Sequence, residues 1–188
     1  IILTTMILNI ANAIRQKNLG KALFGGLELE EGEVKTADGC SITNPHIAVN
    51  HKIGYVSKDR DTESLCLSAS IRDNIAIGGM EKYAVNNFLI LNKKESEYVQ
   101  KQIKDLAIKC SDAEQLTSQL SGGNKQKVVF GKWIGCGSEI LILDCPTRGV
   151  DIGVKQAMYQ LMVKLKEEGK AILLISEELP ELIGMSDR

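Results

Sequence analysis

The sequence has almost no net charge: 23 Lys and Arg stand against 24 acids, spread along 188 residues. That balance leaves no basic field to draw nucleic acid or an anionic lipid surface, so nucleic acid is not expected as a partner. Cysteines are few and scattered. Cys40, Cys66, Cys110, Cys136 and Cys145 form neither the close pairs of a zinc site nor the density of a disulfide scaffold, which fits a reducing cytoplasm. Only His46 and His51 could add imidazole, and both read as exposed loop residues. No apolar run is long enough to cross a bilayer, which takes about 20 residues. The apolar opening Ile1 to Ala13 is interrupted by Thr4, Thr5, Asn9 and Asn12 and has no basic region ahead of it, so it does not read as a secretory segment. Internal repeats, low-complexity linkers and sustained heptads are also missing.

What is there has the balance of one α/β domain large enough to bury a core, with 44% hydrophobic and 25% charged residues. Ile140 to Leu143 and Ala171 to Ile175 are continuous apolar runs bounded by polar residues, as buried parallel strands are. Between them Met158, Leu161, Met162 and Leu165 recur at helical spacing, and Gly169 follows as a stop signal. Strand, helix and strand in that order predict a βαβ unit. Upstream, Val99, Ile103 and Leu106 predict an amphipathic helix within Glu95 to Cys110, and a second helix starts near Ser121 and carries Val128, Val129, Trp133 and Ile134. The first third is punctuated by Gly25-Gly26, Gly32, Gly39 and Pro45, with short strands expected at Glu33 to Thr36 and Lys52 to Val56.

Two segments carry chemistry. Leu120-Ser121-Gly122-Gly123-Asn124-Lys125-Gln126-Lys127 runs straight into an apolar helical pattern. Ser121 suits an N-cap, two glycines let backbone N–H groups approach a ligand, and a helix start favours a phosphate. The expectation is an anion cradle facing outward; the alternative is a turn that merely starts a helix. Some fifteen residues on, Glu139 to Asp144 is an apolar strand ending in a carboxylate. In nucleotide-binding α/β folds ligands gather at the carboxyl ends of strands, where Asp144 can hold magnesium through water. A lone strand-ending Asp is otherwise a turn former.

Leu120 to Lys127 resembles the signature motif of ABC-type ATPases, and Leu141 to Asp151 resembles their Walker B strand and D-loop. The wording of both, with Pro146 to Gly153, Glu178 to Leu182 and Ser186 to Arg188, is similar to the second ATPase half of the ribose, galactose and xylose importers. The similarity reaches upstream through Tyr55 to Arg60, Ser70 to Ile75 and Ala22 to Gly25. The resemblance implies an α/β, P-loop NTPase-like domain over residues 1–188, incomplete at both ends. It would have a mainly parallel sheet, an N-terminal β-rich part and a helical subdomain at about 66–135 carrying the signature. It further implies ATP and Mg2+ as cofactors, and a second ATPase domain, head to tail, and transmembrane permease subunits as partners. The implied place is cytoplasmic, peripheral at the inner face of the membrane. Ser121, Gly122, Gly123, Asn124 and Gln126 would contact a nucleotide bound by the partner domain, Lys58 would stand in the Q-loop, and Asp151 in the D-loop.

Against this pattern the sequence departs in its own ATP site. A phosphate loop needs Gly-x-x-x-x-Gly-Lys-Ser/Thr, and no such run exists. Counting back from Ala22 places the loop at Ala13 to Lys17, where the sequence reads Ala13-Ile14-Arg15-Gln16-Lys17 and the expected glycines are missing. The charge of Arg15 or Lys17 either serves a phosphate or belongs to a solvated helix face, and Gln16 is the third residue of this degenerate loop. Cys145 takes the place of the glutamate that polarises the attacking water, and a thiol near its usual pKa cannot act as that base. Glu177 takes the switch position, and Lys58 replaces an acid. The leading expectation is therefore an importer ATPase half with a degenerate site that donates its signature to a partner. A non-catalytic truncated remnant is the alternative. A chromosome-maintenance or repair ATPase head is disfavoured by the missing heptads.

Overall fold

A computed structural model describes residues 7–8, 18–29, 32–85 and 89–187. In chain order the elements are β1 (Ile7–Leu8), α1 (Leu19–Leu23), β2 (Val34–Lys35), α2 (Pro45–Asn50), β3 (Ile53–Val56), α3 (Ile71–Ala76), α4 (Met80–Tyr83), β4 (Ala84–Val85), β5 (Leu89–Ile90), α5 (Asn92–Asp105), α6 (Gly122–Cys136), β6 (Ile140–Asp144), α7 (Ile152–Glu167), β7 (Ala171–Ile175) and α8 (Leu179–Met185). The expected phosphate loop at Arg15, Gln16 and Lys17 lies outside the described residues. The chain divides into two compact units, one of residues 1–57, 138–145 and 162–188, the other of residues 58–137 and 146–161.

In the first unit a three-stranded sheet runs β3-β6-β7, parallel throughout. The register pairs Tyr55 with Ile142 and Ile142 with Leu173. Leu141, Ile142 and Leu143 are fully buried, which is why β6 reads as an unbroken apolar run, each such side chain contributing roughly 1.5–3 kcal/mol. Both C-terminal strands fall where the apolar runs predicted them, β6 extending one residue further to Asp144. At the N-terminal end, the strand expected from Lys52 starts at Ile53, because Lys52 takes a left-handed turn with φ 57°. The strand expected over Glu33 to Thr36 is reduced to Val34–Lys35. The histidines differ from expectation: His46 lies within α2 and His51 is its C-cap.

The second unit is helical. α3 opens with a capping box in which the Ser70 hydroxyl accepts from the Asp73 amide at 3.0 Å and the Asp73 carboxylate accepts from the Ser70 amide at 3.1 Å. Buried Asn74 then ties α3 to the preceding loop, donating to the Cys66 and Ser70 carbonyls and accepting from the Cys66 amide. α5 is shifted from its expected span and ends at Asp105, not Cys110, because Ala107 turns left-handed at φ 47°. α6 begins where the Ser-Gly-Gly segment predicted and closes on Gly137, whose φ of 85° suits a residue without Cβ. The side chain of Tyr98 fills a slot lined by Gly79 and Gly135, where any side chain would clash with its ring or hydroxyl. In α7, Met158, Met162 and Leu165 are buried, as their spacing predicted, while Leu161 is half-buried.

Candidate functional site

The first unit gathers its chemistry at the carboxyl end of the sheet. Asp144 closes β6 and is buried, and its Oδ2 accepts from the Tyr55 hydroxyl at 3.2 Å. Tyr55 is fixed in turn by stacking on Phe24, centroids 5.5 Å apart. α1 approaches so closely that a Cβ on Gly20 would lie 2.8 Å from the Tyr55 ring and 3.3 Å from the Asp144 carboxylate. Cys145, also buried, turns out of the strand with a left-handed φ of 46° while its amide donates to the Ile175 carbonyl at 2.8 Å. Burial pushes its thiol up, and the neighbouring charges of Asp144 and Glu177 push in the same direction. At neutral pH the thiol is protonated and has no capacity as a base. Glu177 is exposed, and its backbone amide hydrogen-bonds Cys145. Asp144, Cys145 and Glu177 thus come together.

Among the described residues no group of three or more His, Cys, Asp or Glu stands ready to hold a metal. Asp144 is a single carboxylate, which fits a magnesium ion only where water and nucleotide oxygens fill the other positions.

The second unit presents the start of α6. Ser121 occupies the N-cap position in extended conformation and is exposed, but its hydroxyl does not cap the helix; it accepts from the Asn124 side-chain amide at 3.0 Å. The Asn124 carbonyl oxygen accepts from the Lys109 amide at 2.9 Å. The first turn of the 15-residue helix therefore ends in amide N–H groups with no side-chain cap and the positive end of the helix dipole, equivalent to about half a unit charge.

The two glycines serve a purpose beyond ligand approach. A Cβ on Gly122 would stand 2.9 Å from Nη2 of Arg60 and 3.3 Å from the Gly149 carbonyl oxygen. On Gly123 it would reach 2.6 Å from the Val154 side chain. Gly122 is half-buried and Gly123 is buried against α7, so of the Ser-Gly-Gly segment expected to face outward only Ser121 is exposed, with Asn124 half-buried beside it. Gln126 is packed inside, 1% exposed. Asp151 is exposed and caps α7, its carboxylate accepting from the Val154 amide at 2.9 Å. Lys58 is half-buried.

The family model for the ABC transporter matches residues 18–148. The chain belongs to the ABC transporter family. The Bacillus subtilis (strain 168) ribose import ATP-binding protein RbsA is 47% identical over 169 residues, 89% of this chain and 34% of that protein. The proteins of the same name from Bacillus licheniformis and Lactococcus lactis subsp. lactis are 44% and 42% identical, again over about nine-tenths of this chain and 34% of their own length. This ABC chain thus spans about a third of the curated relatives it matches. In fold it is similar to the dimeric post-hydrolysis state of an ATP-binding cassette bound to ADP and Pi, with a TM-score of 0.71 at 18% identity, covering 86% of this chain and 69% of the other. A nucleotide-free ATP-binding cassette from an ABC transporter gives 0.67 at 21% identity, covering 90% and 68%. The α/β fold with its parallel sheet is therefore that of an ATP-binding cassette. Among the described residues no helix is long and apolar enough to cross a membrane.

Sequence reasoning missed how this ABC fold uses Tyr55 and Arg60. Tyr55 reads as one of several apolar strand positions, and its hydrogen bond is made across 89 residues of sequence. Arg60 reads as the last residue of the Tyr55 to Arg60 segment that the family resemblance carries, with nothing in the sequence to mark the backbone it holds.

Proposed function

We propose that this chain is the ATP-binding domain of an ABC-type sugar importer. In this reading it forms one nucleotide-binding domain whose helical subdomain, at about 66–135, carries the signature. It acts by presenting Ser121, Gly122 and Asn124 to the γ-phosphate of a nucleotide held by a second ATPase domain, head to tail, beneath transmembrane permease subunits on the cytoplasmic side. The single observation behind this is the start of α6. An exposed serine and uncapped N–H groups stand at the positive end of a long helix, where a phosphate is favoured by charge and by hydrogen bonding. The sugar class follows from the ribose importers, with which the chain shares up to 47% identity.

ATP with Mg2+ supplies the transferred phosphoryl group and its charge compensation when bound. This chain's own residues divide the work unequally. Asp144 offers one carboxylate, held in orientation by Tyr55, on which an ion can be anchored through water. Cys145 cannot take a proton from the attacking water, since burial keeps its thiol neutral. Arg15, Gln16 and Lys17 are assigned to the degenerate phosphate loop, and Glu177 to the switch position. The chain's own site is therefore a poor catalyst and its donated face a competent one.

The experiment measures ATP hydrolysis by an intact ATPase half of a ribose importer, alone and with this chain added. Stimulation that disappears with Ser121→Ala supports the reading. A chain that neither binds labelled ATP nor stimulates the partner half is a non-catalytic remnant, and the proposal is then wrong.

A further inference from the structure

Arg60 opens a tight π-helical turn, Arg60–Ser64, directly after Lys58 and Asp59. Its guanidinium faces two backbone segments of the second unit, the Arg148-Gly149 turn and the start of α6. Nη1 donates to the Arg148 carbonyl at 2.9 Å and Nη2 to the Gly149 carbonyl at 3.4 Å. Nη2 also lies where a Cβ on Gly122 would come within 2.9 Å, and where one on Gly149 would come within 3.7 Å. The side chain is 15% exposed, and Nε is buried without a hydrogen-bond acceptor, with the Asp61 carboxylate 3.9 Å away. One planar fork is thus wedged between the first residue of α6 and the turn that leads to Asp151.

The arrangement is costly, which argues that it has a purpose. A cation beside a helix start is opposed by the helix dipole, and a buried unpaired N–H adds a desolvation penalty. Two turn carbonyls offset this, and only a guanidinium presents two parallel donors to neighbouring carbonyls at once. Gly149, at φ 66°, supplies the left-handed turn that points its carbonyl at Nη2, and Gly122 leaves the room.

We propose that Arg60 is a positioning residue that locks the start of α6 and the turn carrying Asp151 into one piece, so that both present a fixed face to the partner's nucleotide. The catalytic half of this statement rests on the function proposed above; the mechanical half does not.

The test uses two readouts. In this chain, hydrogen exchange is followed at the Lys125 amide, bonded to the Ser121 carbonyl, and at the Val154 and Lys155 amides, bonded to Asp151. Arg60→Met should speed exchange at all three by about tenfold, as expected for loss of charge-assisted bonds, and Arg60→Lys by less, since one donor point can still reach one carbonyl. Arg72→Met, which removes a guanidinium bonded to Glu95 and Glu114 in the same unit, should leave these amides unchanged. Unchanged exchange in Arg60→Met, or an equal rise in Arg72→Met, overturns the proposal.

For catalysis, the chain replaces its 169 matching residues in the Bacillus subtilis relative. There Arg60→Met should lower kcat about tenfold with KM for ATP within about twofold, Arg60→Lys lying between. An inert parent chimera contradicts the proposed function while exchange still decides the locking role; an active chimera indifferent to Arg60→Met contradicts the positioning role.

Discussion

The carboxyl end of the β3-β6-β7 sheet and the start of α6 are both places where a nucleotide-binding fold does its chemistry, and this chain has treated them differently. At the sheet end the reactive groups are turned inward: Asp144 is 4% and Cys145 8% exposed, and a tyrosine hydroxyl is bonded to the carboxylate. At the helix start the reactive group is turned outward: Ser121 is exposed, its helix uncapped, and the packing that supports it lies two residues further on, at Gly123. In the function proposed above, a composite site has two halves, each under its own physical constraint. The half that needs a base and a phosphate loop would be undone by a few substitutions, whereas the half that needs only a helix start would survive as long as its glycines fit.

That contrast breaks most directly at Gly123. Gly123→Ala places a methyl 2.6 Å from Val154 and should cost stability toward the upper part of about 1–3 kcal/mol in urea unfolding, with Val154→Ala in the same chain restoring most of it. A neutral Gly123→Ala would mean that the glycine is kept for the ligand and not for packing.

At the sheet end, Tyr55→Phe removes the donor to the Asp144 carboxylate and should cost about 1.5 kcal/mol, the loss expected for a buried bond to a charged group.

The smallest effect is a pH dependence. The Cys145 thiol lies above its ordinary 9.0, mainly through burial, so the folded chain holds that proton more tightly than the unfolded one. Its contribution is fully present below the ordinary value and is lost as pH rises through the folded one. Urea midpoints should therefore fall above pH ~9 more steeply in the parent than in Cys145→Ala. Equal slopes would place the thiol in contact with water.

Much of the frame was legible because burial writes itself into sequence. β6 and β7 are unbroken apolar runs, and α7 repeats its apolar positions every three or four residues. The two-residue strands β1, β2, β4 and β5 carry too few positions for any period to be read, and α3 escaped although Ser70 and Asp73 form its cap. The end of α5 was misplaced because nothing in the sequence marks Ala107 for a left-handed turn. In the site, Ser121 was legible from its glycines. The grip of Arg60 was not, because the carbonyls it holds lie 88 and 89 residues away and belong to backbone, which has no sequence signature.

The account stands or falls on a single-turnover experiment with the chimera built on the Bacillus subtilis relative, comparing Ser121→Ala with Cys145→Ala. It predicts that Ser121→Ala removes hydrolysis at the partner's nucleotide while Cys145→Ala leaves it unchanged. Hydrolysis that survives Ser121→Ala, or that is lost with Cys145→Ala, would contradict it.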